Sequence, residues 1–291
     1  GEPITLIVRP GMAAVVQERH PDRSAEPRPE RDEGCSRPSL PVNPEQVEAG
    51  LWLNGAALWD ETAWDRLGSV QGFVGTGDRI AGGNLTADQS RQFYQHLRAG
   101  TMPNVSPTTA ESPKLLRYLW DHFLANAEQL AADFDRWCRG RATTDFPHRV
   151  HVVGDGGVCL GKDVTIDPFV VLDTREGPIC VDEGTTVGSH SVITGPCYIG
   201  PKCRVRSFSF LEEVSLGPGC RVMGRVESTI MQGYSNKQHY GFLGHAYLGS
   251  WVNLAAGTTN SDLKNNYGVV KVTVNGHSVN TGSRFVGCFI G

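Results

Sequence analysis

Polar side chains of the kind that bind and activate small molecules are concentrated between residues 233 and 271. The run Asn236-Lys237-Gln238-His239 is followed by Asn265-Asn266-Tyr267 and then by Lys271. A neutral imidazole suits proton transfer near pH 7, because it can accept the proton of an attacking nucleophile. A lone loop histidine is usually just solvated, but the surrounding amide and basic residues favour a functional role. We therefore predict that His239 is a general base. No comparable cluster surrounds His190, His245 or His277.

This polar region interrupts a six-residue repeat that begins after residue 150. Aliphatic residues recur at every sixth position, slip by one residue near 216, and return after the interruption. Hexapeptide periodicity predicts a parallel β-helix whose coils point these side chains inward. The polar residues are then expected on excursions from the coil. The periodic positions are Leu160, Ile166, Leu172, Val181, Val187, Ile193, Ile199, Val205, Leu211, Leu216, Val222, Phe242, Leu248 and Leu254, and glycine directly follows several of them, at Gly161, Gly188, Gly200, Gly217 and Gly249.

The first half of the chain mixes strand and helix patterns. Residues 51–55 and 71–75 each read as a strand that ends in a turn. Prolines and alternating charges predict a disordered insert near residues 20–48. A helix is predicted from an N-cap at Ser112 through Trp137, since apolar residues follow at helical spacing. We therefore predict an α+β region over residues 1–145 and the β-helix over residues 146–291, with the coil expected to continue past Ile290-Gly291.

The charge and cysteine content of the chain limit the classes of binding partner. The net charge of −4 gives no electrostatic reason to expect nucleic acid or an anionic membrane as a partner. The eight cysteines form no CxxC pair, so we predict reduced thiols and no metal site. The sequence has neither a signal-peptide pattern nor an apolar run of the ~20 residues that span a bilayer. We therefore predict a cytoplasmic enzyme with a small-molecule ligand.

The run Tyr234-Ser-Asn-Lys-Gln-His239-Tyr-Gly-Phe-Leu-Gly244, with the Asn266-Tyr267 pair, resembles a known acetyltransferase. It is similar to the bifunctional N-acetylglucosamine-1-phosphate uridylyltransferase/glucosamine-1-phosphate acetyltransferase family. It is closer still to a divergent bacterial branch of sugar nucleotidyltransferases with a β-helical C-terminal half. The resemblance is detailed over residues 150–291 and faint before them. It implies a left-handed coil, a homotrimer with active sites between subunits, acetyl-CoA as co-substrate and a sugar phosphate as acceptor.

The resemblance also assigns roles to single residues. His239 matches the family's histidine base, and Ala256 lies where a backbone N–H meets the developing oxyanion. Asn253 matches an asparagine that contacts the sugar, and Asn266-Tyr267 match a pair near the acetyl group and sugar. Lys271 matches a lysine that contacts the sugar phosphate.

Several positions depart from the family pattern. Phe242 replaces a tyrosine, and Val226-Glu227 stand where a phosphate-binding lysine is expected. Arg225 and Lys237 are the candidates for supplying the missing positive charge. These departures indicate that the bound sugar phosphate can differ from that of the family, whereas acyl transfer is still expected.

The resemblance leaves two further functions open. Residues 1–145 look like a partial or degenerate nucleotidyltransferase region, in which Leu53-Asn54-Gly55 is one remnant. The family's Gly-x-Gly-Thr-Arg phosphate loop is absent from the sequence, so we predict no nucleotidyl transfer by this chain alone. One alternative is a UDP- or dTDP-sugar-forming nucleotidyltransferase, which would use Mg²⁺ in a full-length protein. The other is a non-catalytic scaffold that binds sugar nucleotides.

Overall fold

A computed structural model describes residues 43–76, 79–109, 113–138 and 146–291. The described residues divide into two compact units between Leu116 and Arg117. Most of the insert predicted near residues 20–48 lies outside the described residues, and residues 43–48 contain no helix or strand. The predicted functional boundary near residue 145 stays a prediction. The first strand of the coil begins at His151.

The first unit contains a four-stranded sheet and two helices. The strands predicted at 51–55 and 71–75 are confirmed as β1 and β3. The sheet has the order β1-β4-β3-β5, and β2 pairs with β6. Trp52, Phe73 and Phe93 meet edge to face in the core between sheet and helix. The elements are β1 (Gly50–Leu53), β2 (Ala57–Leu58), α1 (Glu61–Ser69), β3 (Gly72–Thr76), β4 (Arg79–Leu85), α2 (Ala87–Ala99), β5 (Thr108–Thr109) and β6 (Lys114–Leu115).

The second unit opens with helix α3 (Leu119–Cys138). The helix begins later than predicted, at Leu119, since Lys114–Leu115 pair with β2 as a strand. The Asp121 carboxylate accepts hydrogen bonds from the backbone N–H groups of Arg117 and Tyr118, at 2.6 and 2.9 Å, and so closes the N-terminal end. The predicted cap, Ser112, lies outside the described residues. No helix in the described ranges is long and apolar enough to span a bilayer.

The rest of the second unit is a coil of short parallel strands, which confirms the predicted parallel β-helix. The left-handed sense remains a prediction. Each turn of the coil adds one strand to each of three sheets. Sheet 1 contains β7 (His151–Val153), β10 (Val171–Asp173), β13 (Val192–Thr194), β16 (Phe210–Glu212), β19 (Arg225–Glu227) and β22 (Phe242–Gly244). Sheet 2 contains β8 (Val158–Leu160), β11 (Ile179–Val181), β14 (Cys197–Ile199), β17 (Ser215–Leu216), β20 (Ile230–Gly233), β23 (Tyr247–Ser250) and β26 (Phe289–Ile290). Sheet 3 contains β9 (Thr165–Ile166), β12 (Thr186–Val187), β15 (Arg204–Val205), β18 (Arg221–Val222) and β21 (Asn236–Lys237).

Columns of aliphatic side chains fill the interior of the coil. In sheet 1 the middle residue of each strand points inward, and the paired residues Leu172, Ile193, Leu211, Val226 and Leu243 are all almost fully buried. Burial of one such side chain stabilises a fold by about 1.5–3 kcal/mol. The same column corrects one prediction, because Leu243 is the inward residue of β22 and Phe242 points outward.

Two of the predicted glycines permit close approach between neighbouring turns of the coil. A Cβ at Gly217 would lie 1.9 Å from the carbonyl oxygen of Gln232, and one at Gly188 would lie 2.5 Å from the backbone nitrogen of Ser207. Neither glycine has a positive φ. Glycine therefore occurs at these two positions because a side chain would not fit, and not because the backbone angles are unusual.

The coil is interrupted after Asp262 by an excursion that contains a hairpin, β24 (Lys271–Val274) and β25 (His277–Asn280). The inward valines of this hairpin pack with Trp120 and Phe123 of α3. The excursion is thus held against the coil by the helix that precedes it.

Five cysteines are small buried groups in this coil, and Cys138 and Cys288 are half-buried. The seven described cysteines are free thiols, and Cys35 lies outside the described residues. Burial raises the pKa of the Cys197 thiol to about 12, so this thiol is protonated at neutral pH.

Candidate active site

Lys237 occupies an inward position of the coil. In sheet 3 the second residue of each strand points inward, and Lys237 follows Val205 and Val222 in that column. Only 1% of its surface is exposed. A charged side chain is rarely buried without partners, so its surroundings decide its role.

The ammonium of Lys237 reaches the corner between sheet 3 and sheet 1. Its Nζ donates hydrogen bonds to the carbonyl oxygens of His239 at 2.6 Å, Met223 at 3.2 Å and Tyr240 at 3.3 Å. Burial lowers the pKa of this ammonium from its usual 10.5. Since all three N–H groups have carbonyl partners, none is left for a phosphate. These hydrogen bonds fix the backbone of the His239 loop and argue against the phosphate role of Lys237, which stays a prediction.

The His239 loop, residues 238–241, presents its side chains to solvent. His239 is exposed, and its imidazole makes no hydrogen bond within the described part of the chain. Tyr240 beside it is 68% exposed. The loop therefore combines a held backbone with an imidazole that is exposed to solvent.

The next turn of the coil brings two more predicted residues to this corner. Gly257 N–H donates to the Tyr240 carbonyl at 3.1 Å, which places the 255–258 turn against the His239 loop. Ala256 in that turn is exposed, and its own N–H has no acceptor among the described residues. Asn253 extends sheet 3 by one bridge, and its Oδ1 accepts from Asn236 Nδ2 at 2.7 Å. His239, Ala256 and Asn253 thus lie on two adjacent turns of the coil.

The corner beneath the His239 loop is unusually short. Four residues join sheet 3 to sheet 1 at 206–209 and again at 238–241, but only Met223-Gly224 do so between them. Gly224 has a φ of 82°, and a Cβ there would lie 2.6 Å from the Gly241 carbonyl oxygen. Because Gly224 has no side chain, the backbone of the His239 loop can pack directly against this shortened corner.

Arg225, the other cation considered for a phosphate, lies on the outer surface of sheet 1. Its guanidinium bonds the Glu227 carboxylate, with Nε to Oε2 at 2.7 Å. The side chain remains 61% exposed. An anion that binds Arg225 therefore either displaces the Glu227 carboxylate or shares the guanidinium with it.

Asn266, Tyr267 and Lys271 lie on the excursion and not on the turns that carry His239. Asn266 Oδ1 accepts from Gly268 N–H at 3.0 Å and shapes a turn in which Tyr267 has a φ of 56°. Lys271 is exposed on β24. Among the described residues no hydrogen bond joins these three residues to His239, Ala256 or Asn253. A single chain therefore presents the predicted site in two groups.

A third group was not predicted from the sequence. His245 Nδ1 bonds Asp262 Oδ2 at 2.8 Å, and one potential ligand atom from each of Glu227, His245 and Asp262 lies within 4.8 Å of the other two. His245 stacks on Phe285, with ring centroids 5.0 Å apart, and meets the edge of Phe123. The signal that could have revealed this cluster is spacing by about one turn of the coil, which places residues side by side.

Comparison with known proteins relates the chain to sugar-nucleotide transferases. A family model described as sugar nucleotidyl transferase matches residues 16–142. The bifunctional protein GlmU of Rippkaea orientalis is 31% identical over 169 residues, which cover 52% of this chain and 36% of that protein. GlmU of Cupriavidus taiwanensis is 26% identical over 169 residues, covering 48% and 36%, and GlmU of Alkalilimnicola ehrlichii is 34% identical over 139 residues, covering 42% and 29%. The chain spans about a third of the length of the curated relatives it matches.

These matches confirm the resemblance that the sequence indicated, and they support a transferase connected with sugar nucleotides. The family-model match falls in the first half of the chain, and the parallel β-helix occupies the second. The chain is therefore similar, over part of its length, to the bifunctional GlmU proteins, and its segment that matches sugar nucleotidyl transferases is followed by a parallel β-helix.

Proposed function

We propose that this chain is an acetyl-CoA-dependent N-acetyltransferase that acts on an amino-sugar 1-phosphate, in sugar-nucleotide biosynthesis of the UDP-N-acetylglucosamine type. The observation that carries the proposal is the construction of the His239 loop. Its imidazole is exposed and unbonded, while the buried Lys237 ammonium holds the backbone carbonyls of the same loop. A base must be both accessible and correctly positioned, and an exposed imidazole on a held backbone supports this role.

The reaction forms one C–N bond and breaks one C–S bond. The neutral amine of the sugar attacks the thioester carbonyl carbon, and His239 accepts the proton that the nitrogen loses. The tetrahedral intermediate then collapses, the C–S bond breaks, and the proton passes to the departing CoA thiolate. A positioned base of this kind contributes about 10²–10⁴-fold to the rate.

The oxyanion of the tetrahedral intermediate needs a hydrogen-bond donor. The Ala256 N–H is exposed and has no acceptor among the described residues, which supports its proposed role as that donor. Removal of one oxyanion donor costs about 10²–10³-fold in kcat in a well-studied protease. Asn253, one turn from the His239 loop, is proposed to contact the sugar.

The acceptor's phosphate needs a cation. Lys271 is exposed and has no hydrogen-bond or ion-pair partner in the described ranges, so it is the leading candidate, with Asn266 and Tyr267 proposed beside the acetyl group and sugar. Arg225 ranks second, because its guanidinium already forms an ion pair with Glu227. Lys237 is the weakest candidate, because its three N–H groups already have carbonyl partners.

We propose that the site is completed in a homotrimer. The predicted residues fall into two groups on one chain, one at the His239 corner and one on the excursion. A neighbouring subunit that brings its excursion to this corner would join them, and closed cyclic symmetry would repeat the site three times.

The direct test is a thiol-release assay with acetyl-CoA, glucosamine 1-phosphate and a panel of other amino-sugar phosphates. We expect CoA release that depends on the amino sugar, with the acetyl group on the amine by mass spectrometry. Release at the same rate with the matching N-acetylated sugar phosphate, which has no free amine, would contradict the proposal.

The sugar nucleotidyl transferase match at residues 16–142 favours a second candidate function, nucleotidyl transfer. Pyrophosphate release from UTP or dTTP with Mg²⁺ and a sugar 1-phosphate would reveal it. If neither CoA nor pyrophosphate is released while sugar nucleotide still binds, a scaffold role remains.

A further inference from the structure

The outer surface of sheet 1 carries two neighbouring acidic residues that are followed by a glycine. The third residue of each strand points outward, and the paired positions run Glu212, Glu227 and Gly244. Gly244 has no side chain, and a Cβ there would lie 2.5 Å from Asp262 Oδ2. The carboxylate of Asp262, from the following turn, therefore occupies the space over Gly244 and approaches Glu227.

Each member of the resulting cluster keeps one unused ligand atom. Glu227 uses Oε2 for Arg225, and Asp262 uses Oδ2 for His245 Nδ1. Within the described ranges, no hydrogen bond reaches Glu227 Oε1, Asp262 Oδ1 or His245 Nε2. Two carboxylate oxygens and one imidazole nitrogen are thus available on three adjacent turns of the coil.

The surroundings hold these groups in place. The side chains are only 18% exposed at Glu227 and His245 and 11% at Asp262. Phe285 stacks on the His245 ring, which limits its rotation. The cluster contains two carboxylates, those of Glu227 and Asp262, and the Arg225 guanidinium pairs with Glu227. An added cation would offset the excess negative charge.

We propose that Glu227, His245 and Asp262 bind one divalent first-row transition-metal ion of the Mn²⁺ or Zn²⁺ class. Imidazole together with carboxylate oxygen is a donor set that these ions accept. The ion would join β19, the corner after β22 and the start of the excursion, so it ties the excursion to the coil. This site is separate from the acyl-transfer proposal and stands without it. The prediction of no metal site rested on the cysteines. Glu227, His245 and Asp262 follow one another at intervals of 18 and 17 residues, about one turn of the coil, so no short motif contains them.

Mn²⁺ is the probe, since thiolates select softer ions and the chain has eight cysteines. Titration of the full chain is followed by the loss of the electron paramagnetic resonance signal of free Mn²⁺, beside thermal melts with and without Mn²⁺. We expect saturable binding near one ion per chain and a higher melting temperature with Mn²⁺. Asp262→Asn and Glu227→Gln should each weaken binding by at least about 10-fold, since even outer-shell changes cost 10–100-fold.

Glu212→Gln is the matched control, because Glu212 lies in the same column but outside the cluster. It should bind Mn²⁺ like the wild type. Two results would overturn the site: wild-type binding no tighter than that of Asp262→Asn, or equal loss in Glu212→Gln. If Asp262→Asn fails to fold by circular dichroism, Glu227→Gln decides, because the Glu227 carboxylate hydrogen-bonds only Arg225 among the described residues. Binding that survives both substitutions belongs elsewhere and also refutes the proposal.

Discussion

Replacement of Lys237 by methionine tests how the His239 loop is held. Methionine is apolar and similar in length, so Lys237→Met keeps an inward side chain in the column with Val205 and Val222. It removes the ammonium that bonds the carbonyls of Met223, His239 and Tyr240. The coil should remain packed while the loop loses its anchor.

The expected stability change is the balance of two effects. Each hydrogen bond from a charged donor contributes about 1.5–3 kcal/mol. Against three such bonds stands the cost of burying the ammonium, which is several kcal/mol for an ion in a protein interior. We expect the free energy of unfolding to fall by about 1–3 kcal/mol, less than the bonds alone suggest. The loss of position should matter more, since a displacement of about 1 Å can cost 10²-fold in rate.

Hydrogen exchange of the loop amides and the thiol-release assay measure the two effects separately. We expect faster exchange at residues 238–241 in Lys237→Met and a lower kcat, with the sheet amides protected as before. Lys264→Met is the control: Lys264 Nζ also bonds a carbonyl, that of Val269 at 2.7 Å, but the side chain is exposed. It should change stability by less than about 0.5 kcal/mol. Unchanged loop exchange in Lys237→Met would refute the anchoring role even if no acyl transfer were detected.

Three further results are expected. Burial lowers the pKa of Lys237, so the unfolded chain binds more protons than the folded chain just below pH 10.5. In that interval the free energy of unfolding of the wild type, relative to that of Lys237→Met, should therefore rise with pH. Urea unfolding across that interval measures it, and a falling difference would contradict the burial argument. Gly217→Ala should cost about 1–3 kcal/mol by overpacking, whereas Gly68→Ala, with nothing within 4 Å, should cost nothing, as thermal melts will show. Light scattering should give three times the chain mass, and a stable monomer at micromolar concentration with an intact coil would exclude the shared site.

The coil could be predicted because its signal is local and repeated. An aliphatic at every sixth position fixes both the strand and its inward face, and residues such as Ile193 and Leu211 are buried as predicted. The pattern fails where the coil changes. Met223-Gly224 shorten one corner, and β22 then buries Leu243 instead of Phe242.

Other features could not be read from local pattern at all. Lys237 sits in an aliphatic column, and only the carbonyls of a neighbouring corner make that position favourable. Glu227, His245 and Asp262 meet because each lies about one turn from the next, a distance that no short motif contains. The start of α3 was placed too early because Lys114–Leu115 have a strand partner far away in sequence.

The central claim is that His239 is the base of an acyl transfer. The decisive measurement is thiol release by His239→Ala, with His277→Ala as the control, because His277 is also exposed but lies on the hairpin. We predict a loss of about 10²–10⁴-fold in rate for His239→Ala only. Thermal melts of both variants should match the wild type within about 0.5 kcal/mol, as is usual for exposed side chains. Wild-type turnover by His239→Ala on the best amino-sugar phosphate would contradict the account.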